Sequence, residues 1–211
     1  MYTPSHFAET RVDVLHEMMR SHSLATVVVN TAEGLVANHI PLVLDPEPTP
    51  YGTLRGHIAR ANPLWKQVAA QTQALVIFQG PDTYITPSWY PTKQETGKAV
   101  PTWNYVVVHA HGPLRIIADD PTWLREQLTQ LTAQHEASRP QPWQMTDAPA
   151  AFIDGMLAAV VGIEIRIDRL EGKWKTSQNQ TERNRAGVTE GLAERQEPHD
   201  AAMAALVVQA K

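Results

Sequence analysis

The feature that most limits the fold is the short connection between two β-branched runs. "LATVVVN" (24–30) and "LVANHIPLVL" (35–44) both read as strands, and only "TAEG" lies between them. A parallel pair needs a crossover of roughly a dozen residues or more, so this connection forces an antiparallel hairpin. "TLRGHIA" (53–59) and "ALVIFQG" (74–80) add further strands. "VVGIEIRIDRLEG" (160–172) alternates, with Ile163, Ile165 and Ile167 on one face and Glu164, Arg166 and Asp168 on the other. Helical crossovers do not recur regularly between these runs, which argues against a doubly wound parallel sheet. The pattern predicts a mainly β fold with peripheral helices, an α+β chain built on a closed or nearly closed antiparallel barrel.

Several helices are expected around it. Val12, Leu15, Met19 and His22 share one face of a helix over 8–22. In "NPLWKQVAAQ", Asn62 is placed to cap and Pro63 to start a helix. Asp120 caps and Pro121 starts the clearest helix, striped by Leu124, Leu128 and Leu131. Residues 147–159 read as a helix capped by Asp147, and the tail as two helical pieces broken at Pro198. "PDTYITPSWYPTKQETGKAVP" (81–101) is long and proline-rich. A loop of that length is usually functional or disordered, and Tyr84, Trp89 and Tyr90 argue against disorder.

Composition removes several function classes. The 211 residues contain no cysteine, so no disulfide, thiolate zinc site, iron–sulfur cluster or cysteine nucleophile can form. The 43 % apolar and 19 % charged content suits a globular chain with a substantial core. A formal net charge of -4 gives no general affinity for nucleic acid or anionic lipid. The first residues carry no signal-peptide pattern, and no apolar run approaches the ~20 residues that span a bilayer. The expectation is a cytoplasmic protein with no membrane association.

Three stretches carry candidate chemistry. "GHIARANP" (56–63) joins Arg60 and Asn62 to a helix start. This is either a phosphate site or simply a capped surface helix. "KWKTSQNQ" (173–180) brings together Lys173, Lys175, Ser177, Gln178 and Asn179. These suit a phosphate or a polar ring edge, but also a solvated turn. "VPTWNYVVVHAHG" (100–112) places His109 and His111 on one strand face. With no third ligand in the pattern, they read as barrel or ligand-edge histidines rather than a metal site. No GxSxG, P-loop or GxGxxG motif is present, and no basic recognition helix.

Taken in order, "MYTPSHFAE", "GHIARANPLW", "YITPSWYPTK", "VPTWNYVVVHAHG", "GIEIRIDRLEGKWKTSQNQ" and "NRAGV" resemble the PaiB-type, FMN-binding negative transcriptional regulator family, from residue 1 to about 192. The resemblance implies an FMN-binding split β-barrel of the pyridoxamine phosphate oxidase-like class over 1–192, followed by a helical tail over 193–211. It implies a homodimer with FMN at the subunit interface. Carried over by position, Arg60 and Asn62 would hold phosphate. Lys175, Ser177, Gln178 and Asn179 would meet phosphate, ribityl or ring edge. His39 and Ile40 would lie beside the ring, and His57 belongs to the same candidate set. Thr102, Trp103 and Asn104 would close the pocket.

The function implied is FMN binding with a role as a repressor. DNA is a conceivable partner that the charge does not support. A flavin-dependent oxidoreductase and a haem-binding or haem-degrading protein are alternatives on the same scaffold, and whether the chain is an enzyme stays open.

Overall fold

A computed structural model describes residues 1–210. In chain order the strands are β1 (Ala8–Glu9), β2 (Leu24–Thr31), β3 (Gly34–Pro41), β4 (Val43–Asp45), β5 (Thr53–Ala59), β6 (Gln73–Ile85), β7 (Thr102–Ile117), β8 (Val160–Arg166) and β9 (Arg169–Lys175). The helices are α1 (Val12–Ser21), α2 (Leu64–Gln67), α3 (Pro91–Thr96), α4 (Pro121–Glu136), α5 (Ala150–Ala158), α6 (Glu182–Arg195) and α7 (Asp200–Gln209). The strands follow the order β3-β2-β6-β7-β8-β5-β4, and β9 pairs with β1 and β7. The β2–β3 hairpin is antiparallel, with Thr31 opposite Gly34 at its turn. The mainly β, antiparallel class expected from the short connections is the one found.

Contacts divide the chain into two units. One comprises residues 1–11, 79–108 and 171–211, and the other residues 12–78 and 109–170. The tail helices α6 and α7 lie in the first unit, in a core of Ile85, Tyr90, Val188, Leu192, Met203 and Val207. There α6 runs hard against Trp89. A Cβ at Gly187 would collide with the Trp89 carbonyl, and one at Gly191 with its indole. Trp89 is thereby ordered within the segment first read as a long loop. That segment consists of the end of β6, a 3-10 turn over Pro87–Trp89, α3, and only then coil.

The second unit buries Val27, Val29, Val76, Val161, Ile163 and Ile165 to 1 % exposure or less, one face of each strand, as the alternation in 160–167 requires. Gln127 of α4 is also fully buried there, while α5 packs Ile153 and Leu157 against Leu124.

Several boundaries differ from the sequence reading for local reasons. Residues 8–9 pair with Gly172 and Lys173 instead of opening α1. The run 35–44 divides after Pro41, which has no N–H to continue the ladder, and Val43–Asp45 pairs with β5. α2 is a single turn, ended by extended Val68. Asp147 closes a 3-10 turn by accepting from Gln144 N at 2.9 Å, so α5 begins later, at Ala150. The run 160–172 breaks where Asp168 N bonds His111 O at 2.8 Å. Among the described residues, no helix is long and apolar enough to cross a membrane.

Candidate functional site

The first unit contains a cavity of about 280 Å³. One wall is Tyr90, Thr92 and the stretch 98–100, continuing to Thr102 and Asn104 on β7. The other is Lys175 at the end of β9, followed by Ser177, Asn179, Gln180 and Asn184. The walls come together because β7 and β9 pair and because the chain after β9 turns sharply into α6. Gln178 makes that turn. Its Oε1 accepts from Thr176 N at 2.8 Å and its Nε2 donates to Trp174 O at 2.6 Å. Thr181 caps α6, accepting from Asn184 N at 3.3 Å. Asn184 then donates to Gln180 Oε1 at 3.0 Å and accepts from Thr92 Oγ1 at 3.1 Å, joining the two walls.

The electrostatics of this pocket have one sign. Among the described residues, Lys98 and Lys175 line it and no aspartate or glutamate does. Lys175 donates to Thr102 Oγ1 and to the Trp103 carbonyl, both neutral acceptors. Burial, and then the neighbouring Lys173 charge, push the Lys175 ammonium below its ordinary pKa. Lys173 is itself held by Tyr2 O at 3.2 Å and lies 5.1 Å from the Tyr105 ring centroid. A partly desolvated cation with neutral partners and a second cation nearby is under-compensated, and an anionic ligand relieves it. Asn104 and Ser177 are 1 % and 2 % exposed and bonded to each other at 2.9 Å. Burial pushes the pKa of the Tyr90 hydroxyl up, keeping it neutral.

Of the residues singled out from sequence, Thr102, Asn104, Lys175, Ser177 and Asn179 line this one pocket. Trp103 contributes its carbonyl, while its side chain is 53 % exposed beside Tyr84. Gln178 acts on the turn and is not part of the wall. Lys98, Thr92, Gln180 and Asn184 were not foreseen, although the length of segment 81–101 pointed to its end of the pocket.

The remaining candidates lie in the second unit, with other partners. Arg60 donates to the carbonyls of Ala158, Ala118 and Val160 at 2.9, 2.7 and 3.2 Å. Its guanidinium also stacks over Trp65. The adjacent cavity is of mixed charge, lined by Arg60 and Arg125 together with Asp119, Asp120 and Asp154. Asn62 donates to Asn38 Oδ1 at 2.7 Å and accepts from Leu64 N at 3.0 Å, but Pro63, not Asn62, occupies the N-cap position of α2, a helix too short to carry a useful dipole. His57 meets Gln127 Oε1 at 3.0 Å, and burial lowers its pKa. His39 bonds Thr26 Oγ1 at 3.1 Å, and Ile40 is core at 3 % exposure. The His109 and His111 rings lie 6.4 Å apart, and Arg169 Nη2 is 3.1 Å from His111 Nδ1.

Residues 1–169 match the family described as "Putative FMN-binding domain". The chain belongs to that FMN-binding family. It is 37 % identical over 226 residues to an uncharacterized protein of Emericella nidulans, spanning 91 % of this chain and 90 % of the other. It is 31 % identical over 207 residues to Protease synthase and sporulation protein PAI 2 of Bacillus subtilis, spanning 98 % and 96 %. The solved FAD and heme binding protein from Mycobacterium smegmatis superposes with a TM-score of 0.56 at 19 % identity, over 80 % of this chain and 73 % of that one. That level of likeness shows a shared fold. FMN is the cofactor that family membership assigns. The donor set fits one end of it: two ammonium groups, several amides and hydroxyls, and no carboxylate suit a phosphate monoester on a polyhydroxyl chain.

Proposed function

We propose that this protein binds FMN with the phosphate and the adjoining ribityl chain in the Lys98–Lys175 pocket. The single observation that supports this most is the lining: two lysines, one partly desolvated, with no carboxylate to neutralise them. Lys98 and Lys175 supply charge, Ser177 and Asn179 supply donors, and Asn104 fixes Ser177. Thr102 and the Trp103 carbonyl orient Lys175 while the site is free. Bound FMN supplies redox capacity, and the protein binds and orients it. A homodimer in which the flavin ring meets the partner subunit belongs to the same reading.

A repressor role is the weaker part of the proposal. The name of the Bacillus subtilis relative refers to protease synthesis and sporulation. Here the basic segment 173–185 is held mostly by neutral acceptors. Lys173 and Lys175 are engaged as described, Arg183 pairs with Glu95, and Arg185 donates to Gln180 O at 3.1 Å. The formal net charge of -4 nevertheless gives the chain no general attraction for DNA.

The test is titration of the purified protein with FMN and with riboflavin, read by flavin fluorescence and by sedimentation for the dimer. Lys175→Met is expected to weaken FMN binding by at least about tenfold, the loss of one charge-assisted contact. Riboflavin, which lacks the phosphate, should bind the variant and the wild type alike. Equal loss for both ligands, or for neither, refutes the placement. A Soret band instead of a flavin spectrum on reconstitution favours haem and overturns the reading.

A further inference from the structure

The second unit contains a cavity of its own, of about 680 Å³, against about 280 Å³ for the Lys98–Lys175 pocket. It forms where the chain leaving α2 returns beside the ends of β7 and β8, tied there by Leu114 N donating to Thr72 O at 2.8 Å. Its walls are mostly apolar, with Trp65, Val68, Leu114 and Ile116 among them. Trp65 is held in place by its own Nε1, which donates to Arg60 O at 2.9 Å. Apolar walls, a few placed polar groups and a volume of roughly 300–1,000 Å³ are the usual form of a small-molecule site.

Among the described residues, the charged side chains that line it are Arg115, Glu164 and Arg166. Glu164 is fully engaged. Its Oε1 accepts from Arg115 Nη1 at 2.9 Å and its Oε2 from Arg55 Nε at 3.2 Å. Among the described residues, nothing pairs with the Arg166 guanidinium. The cavity therefore has a surplus cation, two arginines against one glutamate. A guanidinium presents a planar fork that matches a carboxylate, and beside apolar walls that contact is less screened than in open solvent. We propose that this cavity binds an organic acid with one carboxylate and an apolar body of the size of a fused ring pair. The carboxylate meets Arg166, and the body lies against Trp65, Val68 and Ile116. A dianionic phosphate would find no partner here for its second charge, so this cavity and the Lys98–Lys175 pocket take ligands of different charge and size.

The experiment titrates β-naphthoate and its neutral counterpart β-naphthamide into wild type, Arg166→Gln, Ala70→Trp and Lys175→Met by calorimetry, with melting followed without ligand. Wild type is expected to bind β-naphthoate about tenfold more tightly than β-naphthamide, the effect of one charge-assisted contact. Arg166→Gln should abolish that preference and leave β-naphthamide binding as it was. Ala70 is exposed and lines the cavity, so Ala70→Trp fills the space and should weaken both ligands by at least about tenfold. Lys175→Met, in the other unit, should leave both naphthalene ligands unaffected. Arg166 is exposed, so its variant should melt close to the wild-type temperature. The comparison of Arg166→Gln with Lys175→Met decides the matter even if filling the cavity destabilises the fold. Failure of wild type to bind β-naphthoate at millimolar concentration overturns the proposal, as does a preference for the acid that survives in Arg166→Gln. Loss of that preference in Lys175→Met instead would place the acid in the Lys98–Lys175 pocket and overturn it too.

Discussion

Acid sensitivity should be concentrated at one carboxylate, Asp200. It is 1 % exposed and accepts from Arg195 Nε at 2.8 Å, Glu197 N at 2.9 Å and Thr83 Oγ1 at 2.9 Å. The Arg195 hydrogen bond does most to lower its pKa from 3.8 to about 2, against the opposing effect of burial. A carboxyl whose folded pKa lies below its unfolded value stabilises the fold in its ionised form. That contribution is complete above the unfolded value and is lost as pH falls through the range from 3.8 to about 2. The difference of ~1.8 units, at ~1.36 kcal/mol per unit, is ~2.4 kcal/mol.

Asp200→Asn removes the titration and leaves Arg195 without its charged partner. We expect the variant to lose about 2–4 kcal/mol at neutral pH, because breaking such a pair leaves a poorly compensated cation. Its stability should then vary about 2 kcal/mol less than that of the wild type between neutral pH and pH 2. Urea unfolding at a series of pH values measures both quantities. Tryptophan fluorescence follows the unfolding, and Trp89, one of six tryptophans, lies 5.0 Å from the Arg195 guanidinium. An acid dependence identical in variant and wild type would refute the assignment of acid stability to this pair.

Two further substitutions test packing and partner choice. Gly191→Ala should cost about 1–3 kcal/mol, because the new methyl meets the Trp89 indole; a melting temperature equal to wild type would contradict that contact. Arg60→Ala should lower stability by about 1–3 kcal/mol, through three carbonyls left without their donor, and should leave the FMN-to-riboflavin affinity ratio unchanged. A loss confined to FMN would return Arg60 to a phosphate role.

What could be read from the sequence follows from the range of the interactions involved. The antiparallel class was legible because a four-residue connection and the alternation of Ile163, Ile165 and Ile167 are local facts. The tail helices and their break at Pro198 were legible for the same reason. The short strand at residues 8–9 was not, because its partners Gly172 and Lys173 are distant in sequence and the residues continue a helical pattern.

Arg60 shows the same limit at the level of function. Its type and its position before a helix suit phosphate, yet its choice of partner depends on carbonyls 58 to 100 residues away. In "KWKTSQNQ", composition could not separate a solvated turn from a site. The burial of Ser177, and the arrival of Thr102 and Asn104 at the same cavity on another strand, depend on tertiary contacts. Lys98 gave no signal beyond its place in a long segment.

The division of the pocket between two stretches of chain also sets when it can exist. Asn104 and Ser177 are 73 residues apart, and the wall after β9 extends to Asn184. During synthesis the first wall leaves the ribosome long before the second has been translated. At about 5–20 residues per second, that interval is several seconds. On the proposed placement of FMN in this pocket, flavin cannot serve as an early template for the nascent chain. Capture of the cofactor has to follow translation of the residues beyond β9, so a truncated product ending before Lys175 would carry most of the strands and none of the second wall.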